Sequence, residues 1–246
     1  MESRVTLITG GGRGIGRATA LRLARDGHDI VFSYLSDEAA AEDTAAAVRE
    51  LGRRCVAVRM DTSDEADVDR LFDTALGELG TVTGLVNNAG LTGPLTRLVD
   101  ADAADIRRVV EVNVVGYLLC CRRAAREMTK RGGGAIVNVS SGAATRGSPN
   151  EYVHYAGAKA AVDSITVGLA QELGPAGIRV NSVQAGVTRT RIHADMGDPE
   201  RAEKRGAVLP LGRPAEPEEI AAAIVWLLSD EASFTTGAVL RVAGGN

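Results

Sequence analysis

The sequence predicts one α/β domain over residues 1–246, built on a doubly wound, mainly parallel sheet of seven strands with helices on both faces. Short apolar runs that end in glycine or polar residues alternate with longer segments whose apolar residues recur at helical intervals. No proline- or serine-rich linker, charge run or low-complexity block interrupts this alternation. Each helix returns the chain to the same end of the sheet, so we expect the strands to pair in parallel.

The predicted elements follow in order from these periodicities. Strands are predicted at 4–9, 28–34, 54–60, 134–140, 178–183 and 238–242, with a short one inside 84–90. Helices are predicted at 37–51, 64–80, 102–130 and 217–229, with one more before Arg25 and one that carries Tyr155. The polar segment 191–211 contains glycine and proline breaks, and we interpret it as a mobile substrate lid.

Composition excludes other classes of function. The formal net charge is −4 without a basic stripe, so we do not expect a nucleic-acid partner. No apolar run reaches the length of a membrane span, and no signal peptide is visible, so we expect a cytoplasmic protein with no membrane partner. Cys55, Cys120 and Cys121 fit neither a disulfide framework nor a metal motif, and the three histidines lack metal-ligand spacing. We expect no metal.

A glycine-rich loop, Gly10 to Gly16, connects the first strand to the first helix. Glycine permits backbone angles that other residues avoid, lets the chain approach a pyrophosphate and allows close contact between helix and strand. The helix start offers free N–H groups and a positive dipole end to phosphates. A tight turn without a ligand is the alternative, but the strand before it and the helix behind it favour a dinucleotide.

The end of the second strand bears on which cofactor is bound. Tyr34, Leu35 and Ser36 stand where an acid would bind the ribose 2′-hydroxyl of NAD. Asp37 follows, and we interpret it as the cap of the next helix. Arg13 is placed to pair with a 2′-phosphate. We expect NADP(H) to be preferred; NAD(H) stays open because no second basic residue follows the strand.

Tyr155 and Lys159 are four residues apart on a predicted helix, so both side chains lie on one face. A phenol has an ordinary pKa near ~10, and an ammonium group beside it favours the phenolate. Such a tyrosine can give a proton to an alkoxide or take one from an alcohol. A chance pair on a solvated helix face is the alternative for this spacing alone.

Polar residues interrupt or end apolar segments elsewhere. Asp61 ends the third strand, near an adenine site or as the cap of the next helix. The amides of Asn87 and Asn88 either tie strands together or line the cleft. Asn113 interrupts an apolar helix face and either bonds backbone or organises a water. Two more polar residues, Ser140 and Ser141, end the fifth strand on opposite faces, so only one can look into the cleft.

Five motifs together occur in the order and spacing of a known family: Thr9-Gly10-x-x-x-Gly14-x-Gly16, Asn87-Asn88-Ala89-Gly90, Asn113, Ser140-Ser141 and Tyr155-x-x-x-Lys159. Over nearly its whole length the chain resembles the short-chain dehydrogenase/reductases of the single-domain type, similar to 3-oxoacyl-acyl-carrier-protein reductases and glucose dehydrogenases. The resemblance implies a Rossmann-type fold, a homotetramer or homodimer, and an NAD(P)-dependent oxidoreductase that interconverts a ketone or aldehyde and an alcohol.

The resemblance also implies roles for individual residues. Tyr155 would be the general acid/base, Lys159 would lower its pKa and hold the nicotinamide ribose, Ser141 would bind the substrate oxygen, and Asn113 would hold a water. The residues implied to contact the cofactor, besides Tyr155 and Lys159, are Gly10, Gly12, Arg13, Gly14, Ile15, Gly16, Tyr34, Leu35, Ser36, Asp61, Thr62, Asn88, Ala89, Gly90, Gly186, Val187, Thr188 and Thr190.

Two departures from the family pattern stand out. Ala185 replaces the usual proline before Gly186, so we expect a looser loop on the nicotinamide side. The interval from Ser141 to Tyr155 is one residue longer than usual, and we place the insertion in the loop 145–152. Tyr152 is not a rival base, because Ala156 stands where its lysine would have to be.

Two other functions are weighed against carbonyl chemistry. A nucleotide sensor on the same fold would not need the Tyr155 proton donor. Enoyl reductases space their tyrosine and lysine more widely than this chain does. The substrate stays open among a 3-oxoacyl thioester, a sugar or polyol, and a polycyclic ketone.

Overall fold

The computed structural model describes residues 4–246. One sheet contains β1 (Val5–Ile8), β2 (Asp29–Tyr34), β3 (Cys55–Arg59), β4 (Val82–Asn87), β5 (Gly134–Ser141), β6 (Ile178–Ala185) and β7 (Val239–Val242). The strand order is β3-β2-β1-β4-β5-β6-β7, and all six neighbouring pairs are parallel. The predicted doubly wound sheet of seven strands is confirmed.

The described helices are α1 (Gly14–Arg25), α2 (Glu38–Glu50), α3 (Glu65–Glu78), α4 (Ala103–Val110), α5 (Gly116–Arg131), α6 (Ala143–Arg146), α7 (Val153–Leu173), α8 (Ile192–Asp195), α9 (Arg201–Gly206) and α10 (Pro217–Leu228). Helices α1, α2 and α10 cover one face of the sheet, where Leu23 packs with Phe32. Helices α3, α5 and α7 cover the other, where Phe72 and Met128 pack with Ile136. The strands are therefore buried on both sides, as parallel strands require.

The order of the strands reverses between β1 and β4, because the chain winds outward from β1 in both directions. The loops that leave the carboxyl ends of these two strands diverge and open a crevice. In doubly wound sheets this crevice is the ligand site.

The predicted long helix at 102–130 is interrupted. Helix α4 passes into a π-helical turn, Glu111–Val115, and then into α5, which ends at Gly132 with φ 87°. A π turn inserts one residue into the helix and rotates the side chains that follow. Asn113 lies inside this turn.

Three aspartates cap helices. The Asp37 side chain accepts a hydrogen bond from the Ala40 N–H, which confirms its predicted capping role. Asp64, and not Asp61, caps α3 through the Asp67 N–H, so the capping alternative for Asp61 is wrong. Asp102 caps α4 through the Ala104 N–H.

The remaining features limit the chemistry of residues 4–246. Cys55, Cys120 and Cys121 are free and buried, and Cys120 and Cys121 lie on the core-facing side of α5. Within this range no group of three His, Cys, Asp or Glu side chains is arranged to hold a metal ion. No helix there is both long enough and apolar enough to cross a membrane.

Candidate active site

A cleft of about 1080 Å³ opens at the carboxyl edge of the sheet. It runs from the glycine-rich loop, past the ends of β1, β4, β5 and β6, to the segment that contains α8 and α9. Most of the predicted site residues line it: Gly10, Gly12, Arg13, Gly14, Ile15, Tyr34, Leu35, Ser36, Asp61, Thr62, Asn88, Ala89, Gly90, Ser141, Tyr155, Lys159, Gly186, Val187, Thr188 and Thr190. Two predicted site residues, Gly16 and Asn113, do not line the cleft themselves.

The start of α1 is built to receive an anion. Arg13 is the N-cap residue of α1, and in the described part of the chain no side chain makes a capping hydrogen bond there. Helices α2, α3 and α4, in contrast, are each capped by an aspartate. Its first N–H groups are therefore available to a ligand, with the positive end of the helix dipole behind them. Gly10 and Gly14 have φ values of 66° and 53°, and a Cβ on Gly16 would collide with the Gly10 carbonyl oxygen. The loop fits the pyrophosphate of a dinucleotide.

The two adjacent asparagines have different tasks. The Asn88 side chain donates to the carbonyl oxygens of Thr9 and Gly10 at 3.0 and 2.9 Å, and so fixes the glycine loop against β4. The Asn87 side chain instead donates to Asn138 on β5 at 2.9 Å in the core. Each alternative expected from the sequence therefore describes one residue of the pair.

The outer end of the cleft, beside Tyr34 and Leu35, is crossed by two ion pairs. Arg13 contacts Asp195 at 2.7 Å, and Arg191 contacts Asp37 at 2.9 Å. Both pairs are partly exposed. The first joins α8 to the glycine loop, and the second joins the residue before α8 to the start of α2. Asp37 thus has a second contact, which no sequence pattern predicts.

Asp61 belongs to a small network at the end of β3. Its carboxylate contacts Arg108 at 2.6 Å and accepts hydrogen bonds from the N–H and hydroxyl of Ser63. Burial alone would raise the pKa of Asp61, but these contacts hold it below its ordinary value. The carboxylate stays charged and fixed in the cleft wall.

Tyr155 lies at the inner end of the cleft with 8% of its surface exposed. Burial raises the pKa of its phenol well above the ordinary value, although a hydrogen bond with the Ser141 side chain lowers it. The sequence predicts a pKa lowered by Lys159; in this structure burial sets the direction instead, and the Lys159 Nζ is 5.8 Å from the Tyr155 ring centroid. The phenol is protonated at neutral pH.

The two serines at the end of β5 face different partners. Ser141 accepts a hydrogen bond from the Ala143 N–H at 3.1 Å and lies beside Tyr155. Ser140 donates to the Lys159 carbonyl oxygen at 3.1 Å and holds α7 against the sheet. The geometry puts Ser141 next to the phenol.

Lys159 is almost fully buried, with 3% of its surface exposed. Its Nζ donates to the Tyr117 hydroxyl at 3.0 Å and to the Val139 carbonyl oxygen at 2.8 Å. Burial lowers the pKa of Lys159 to about 7, against the opposing influence of Asp163. Tyr117 belongs to this group, although no sequence motif predicts it as a site residue.

Asn113 is buried behind Lys159. Its side-chain N–H₂ donates to the carbonyl oxygens of Leu91 and Val109 at 2.7 and 2.9 Å. Its Oδ1 has no hydrogen-bond partner within residues 4–246, and it lies close to Gly90 at the cleft wall. Asn113 therefore bonds backbone, as one alternative had it, and keeps an acceptor free on its other atom.

Backbone hydrogen bonds anchor the segment after β6, although Ala185 in place of the usual proline predicts a looser loop. The Gly186 N–H donates to the Val242 carbonyl oxygen at 2.9 Å, and the Ala215 N–H donates to the Val187 carbonyl oxygen at 2.8 Å. A Cβ on Gly186 would lie 2.6 Å from the Ala243 Cα, so a glycine is required there.

A cluster of charged and aromatic residues closes the Tyr155 end of the cleft, and no sequence pattern predicts it. Glu151 contacts Arg201 at 2.6 Å and also pairs with Arg205, both on α9. The Arg201 guanidinium donates to the Tyr152 hydroxyl at 3.1 Å, and the Tyr152 ring packs edge-on against Tyr155, 5.4 Å between centroids. The segment predicted to be a lid is thereby connected to the Tyr155 end of the cleft. Glu151 and Arg201 are 50 positions apart in the sequence, so no local pattern reveals their contact.

Three comparisons with known proteins agree with this geometry. Residues 10–246 match a family model described as enoyl-(acyl carrier protein) reductase. An uncharacterised oxidoreductase of Escherichia coli is 43% identical over 98% of this chain and 99% of that protein. A cis-4-hydroxycyclohexanecarboxylate dehydrogenase of Sinomonas cyclohexanicum is 43% identical over 98% of this chain and 96% of that protein. The solved structure of an NAD⁺-bound xylitol dehydrogenase superposes with a TM-score of 0.91 at 33% identity and 98% coverage of both chains.

Proposed function

Because the chain belongs to the short-chain dehydrogenase/reductase family, whose members here act on CH–OH groups, we propose that it is an NADP(H)-dependent oxidoreductase that interconverts a ketone or aldehyde and an alcohol, with Tyr155 as the general acid/base. One observation carries the proposal. Tyr155, Ser141 and Lys159 meet at the inner end of a cleft whose outer end is a phosphate-binding loop.

The bound nicotinamide supplies or accepts the hydride, and the chain's own residues handle the oxygen. Ser141 orients the substrate oxygen by a hydrogen bond, beside the Tyr155 hydroxyl. A protonated phenol held in a buried site is ready to donate, so the unliganded site favours carbonyl reduction. Ser141 and Tyr155 together stabilise the negative charge that develops on oxygen.

Lys159 supports this step from behind Tyr155. Its ammonium would stabilise negative charge on the phenol after the proton has left, and it would donate a hydrogen bond to the ribose hydroxyls of a bound nicotinamide cofactor. The free Oδ1 of Asn113 offers a polar position close to the cleft wall, which supports the water-holding role that the family resemblance implies.

The preference for NADP(H) rests on Arg13. Its guanidinium is half exposed at the start of α1, and no acidic side chain stands at Tyr34, Leu35 or Ser36. We propose that a 2′-phosphate displaces Asp195 as the partner of Arg13. A phosphate carries more charge than a carboxylate and so makes the stronger contact with a guanidinium.

NAD(H) is the competing cofactor, and two observations favour it. Asp37 and Asp195 both line the outer end of the cleft, where they would repel a 2′-phosphate. The xylitol dehydrogenase that superposes on this chain is NAD⁺-bound. Binding of NADPH and NADH to the native protein and to Arg13→Ala decides between them: the proposal requires a large NADPH preference that the substitution removes.

A second candidate reaction, reduction of a carbon–carbon double bond, is favoured only by the description of the matching family model. The four-residue spacing of Tyr155 and Lys159 speaks for carbonyl chemistry instead. An assay that offers an enone and follows which bond is reduced separates the two candidates.

The proposed substrate is a small carbonyl compound or alcohol. The relative that oxidises a hydroxycyclohexanecarboxylate makes cyclic keto acids a sensible first set to screen, next to sugars, polycyclic ketones and 3-oxoacyl thioesters. NADPH consumption with these ketones tests the function. Tyr155→Phe and Ser141→Ala should abolish turnover or reduce it by about a thousandfold while nucleotide binding persists. Full activity of Tyr155→Phe would remove Tyr155 from the mechanism.

We also propose a homotetramer. Apolar side chains are partly exposed on the segments that would form its interfaces: Val115 in the π turn, Leu118 on α5, Val167 on α7 and Val239 on β7. Each exposes between 38% and 42% of its surface, which supports burial against another copy.

A further inference from the structure

Tyr117 is a second phenol in contact with Lys159. It lies on α5, one turn after Asn113, with 2% of its surface exposed. Its hydroxyl donates to the Val139 carbonyl oxygen at 3.0 Å and accepts from the Lys159 Nζ at 3.0 Å. The same Nζ lies 4.6 Å from the centroid of the Tyr117 ring, compared with 5.8 Å for the Tyr155 ring.

We propose that Tyr117 is a positioning residue whose hydroxyl holds the Lys159 ammonium against the end of β5 and thereby sets the pH range in which Tyr155 exchanges its proton. The inference rests on the proposed function, because it assigns Tyr117 a role through Lys159.

The surroundings of Lys159 show why a neutral hydroxyl matters. On α7 the titratable neighbours are Tyr155 and Asp163, and the Asp163 carboxylate already accepts hydrogen bonds from Ser182 and Gln184 at 2.8 and 2.7 Å. The other elements packed around Lys159 contribute uncharged groups. The π turn contributes Asn113, and α5 contributes Tyr117 and the neutral thiols of Cys120 and Cys121. Strand β5 contributes Val139 to Ser141, and Gly90 follows β4.

The ammonium is therefore stabilised mainly by two oxygen acceptors, the Tyr117 hydroxyl and the Val139 carbonyl. A buried ammonium that loses one of two acceptors is stabilised less and carries its proton less readily. Burial already lowers the pKa of Lys159 to about 7, so its charge is sensitive to such a loss. A neutral Lys159 no longer favours the Tyr155 phenolate.

The Tyr117 hydroxyl cannot act as a proton relay to solvent. Its hydrogen-bond partners are the Lys159 Nζ and a backbone carbonyl that carries no proton. Its effect on chemistry must pass through the position and charge of Lys159, which makes the pH profile the decisive measurement.

Tyr117→Phe isolates the hydroxyl, because the ring that faces the ammonium is kept. We expect the acid limb of the kcat/KM profile for alcohol oxidation to move upward by about 0.5–1 pH unit, since the phenolate is less favoured. On the acid limb, kcat/KM of the variant should be about three- to tenfold below that of the native protein. On the plateau at higher pH, the two values should be equal.

Thr166→Val is the matched control. Thr166 lies on α7 with Lys159, is fully buried, and accepts a hydrogen bond from the Asn138 side chain at 2.9 Å without contacting Lys159. This variant should lower stability and leave the pH profile in place. An unshifted profile in soluble Tyr117→Phe would overturn the proposal.

If Tyr117→Phe does not fold, 3-fluorotyrosine at position 117 keeps the shape and weakens the oxygen as an acceptor. The limb should then move in the same direction by less, and an unmoved limb contradicts the proposal. Tyr155→Phe keeps the two hypotheses apart: activity of that variant refutes the proposed function, whereas its inactivity together with unshifted Tyr117 variants refutes the role of Tyr117 alone.

Discussion

Arg13 and Asp195 form an ion pair of 2.7 Å that joins the glycine-rich loop to α8, although 182 positions separate them in the chain. The pair stands at the outer end of the cleft, where the proposed 2′-phosphate would bind. A bound 2′-phosphate would therefore compete with Asp195 for one guanidinium, and this competition would couple the lid segment to the choice of cofactor.

Asp195→Asn should strengthen NADPH binding. The substitution releases Arg13 and removes a negative charge from the phosphate site, and we expect about a three- to tenfold lower Kd for NADPH with little change for NADH. Calorimetry with both nucleotides measures the difference. Asp198→Asn is the control, because Asp198 lies in the same segment but pairs with Lys204 at 3.6 Å. Equal gains for the two nucleotides would argue against a 2′-phosphate at Arg13.

Glu151→Gln should weaken the closure of the substrate end. Glu151 pairs with Arg201 and Arg205, and Arg201 is 93% buried, so an amide would leave a buried charge poorly compensated. We expect KM for the carbonyl substrate to rise about three- to tenfold with a smaller change in kcat, because the chemistry at Tyr155 is left in place.

Glu200→Gln is the control for this change, since Glu200 is an exposed partner of Lys204 in the same segment. Steady-state kinetics at two salt concentrations provide the measurement. If the Glu151 variant instead lost kcat and kept KM, the cluster would serve the chemistry and not the closure of the cleft.

The fold and the inner site were predictable because the signals were local. Strand-loop-helix periodicity marked β1 and α1, and the four-residue spacing of Tyr155 and Lys159 placed both on one helix face. The π turn was not predictable, since the apolar spacing from α4 to α5 shows no break at Glu111–Val115. The lid contacts were missed for a different reason. Arg13 and Asp195 are far apart in the sequence, as are Glu151 and Arg201, and only the three-dimensional fold brings each pair together.

Leu118→Glu should dissociate the proposed tetramer. Leu118 exposes 42% of its surface on α5, and a carboxylate there would be buried without a partner in an interface between copies. Sedimentation velocity of the native and variant proteins gives the result, and Leu211→Glu, at an exposed position of the lid segment, controls for an added charge. A native monomer would refute the assembly directly.

His28 should make the fold sensitive to mild acid. It is 7% exposed beside Thr6, with 2.8 Å between the Thr6 Oγ1 and the His28 Nδ1, and burial lowers its pKa to about 4 from an ordinary 6.5. A lowered pKa means that the unfolded chain binds the proton more readily. The contribution of the neutral imidazole is therefore complete above pH ~6.5 and is lost as the pH falls toward 4. Between pH ~7 and ~5 this linkage removes about 2 kcal/mol from the free energy of unfolding. Urea denaturation of native protein and His28→Asn at both pH values should show the smaller loss in the variant, and equal losses would assign the acid sensitivity to other groups.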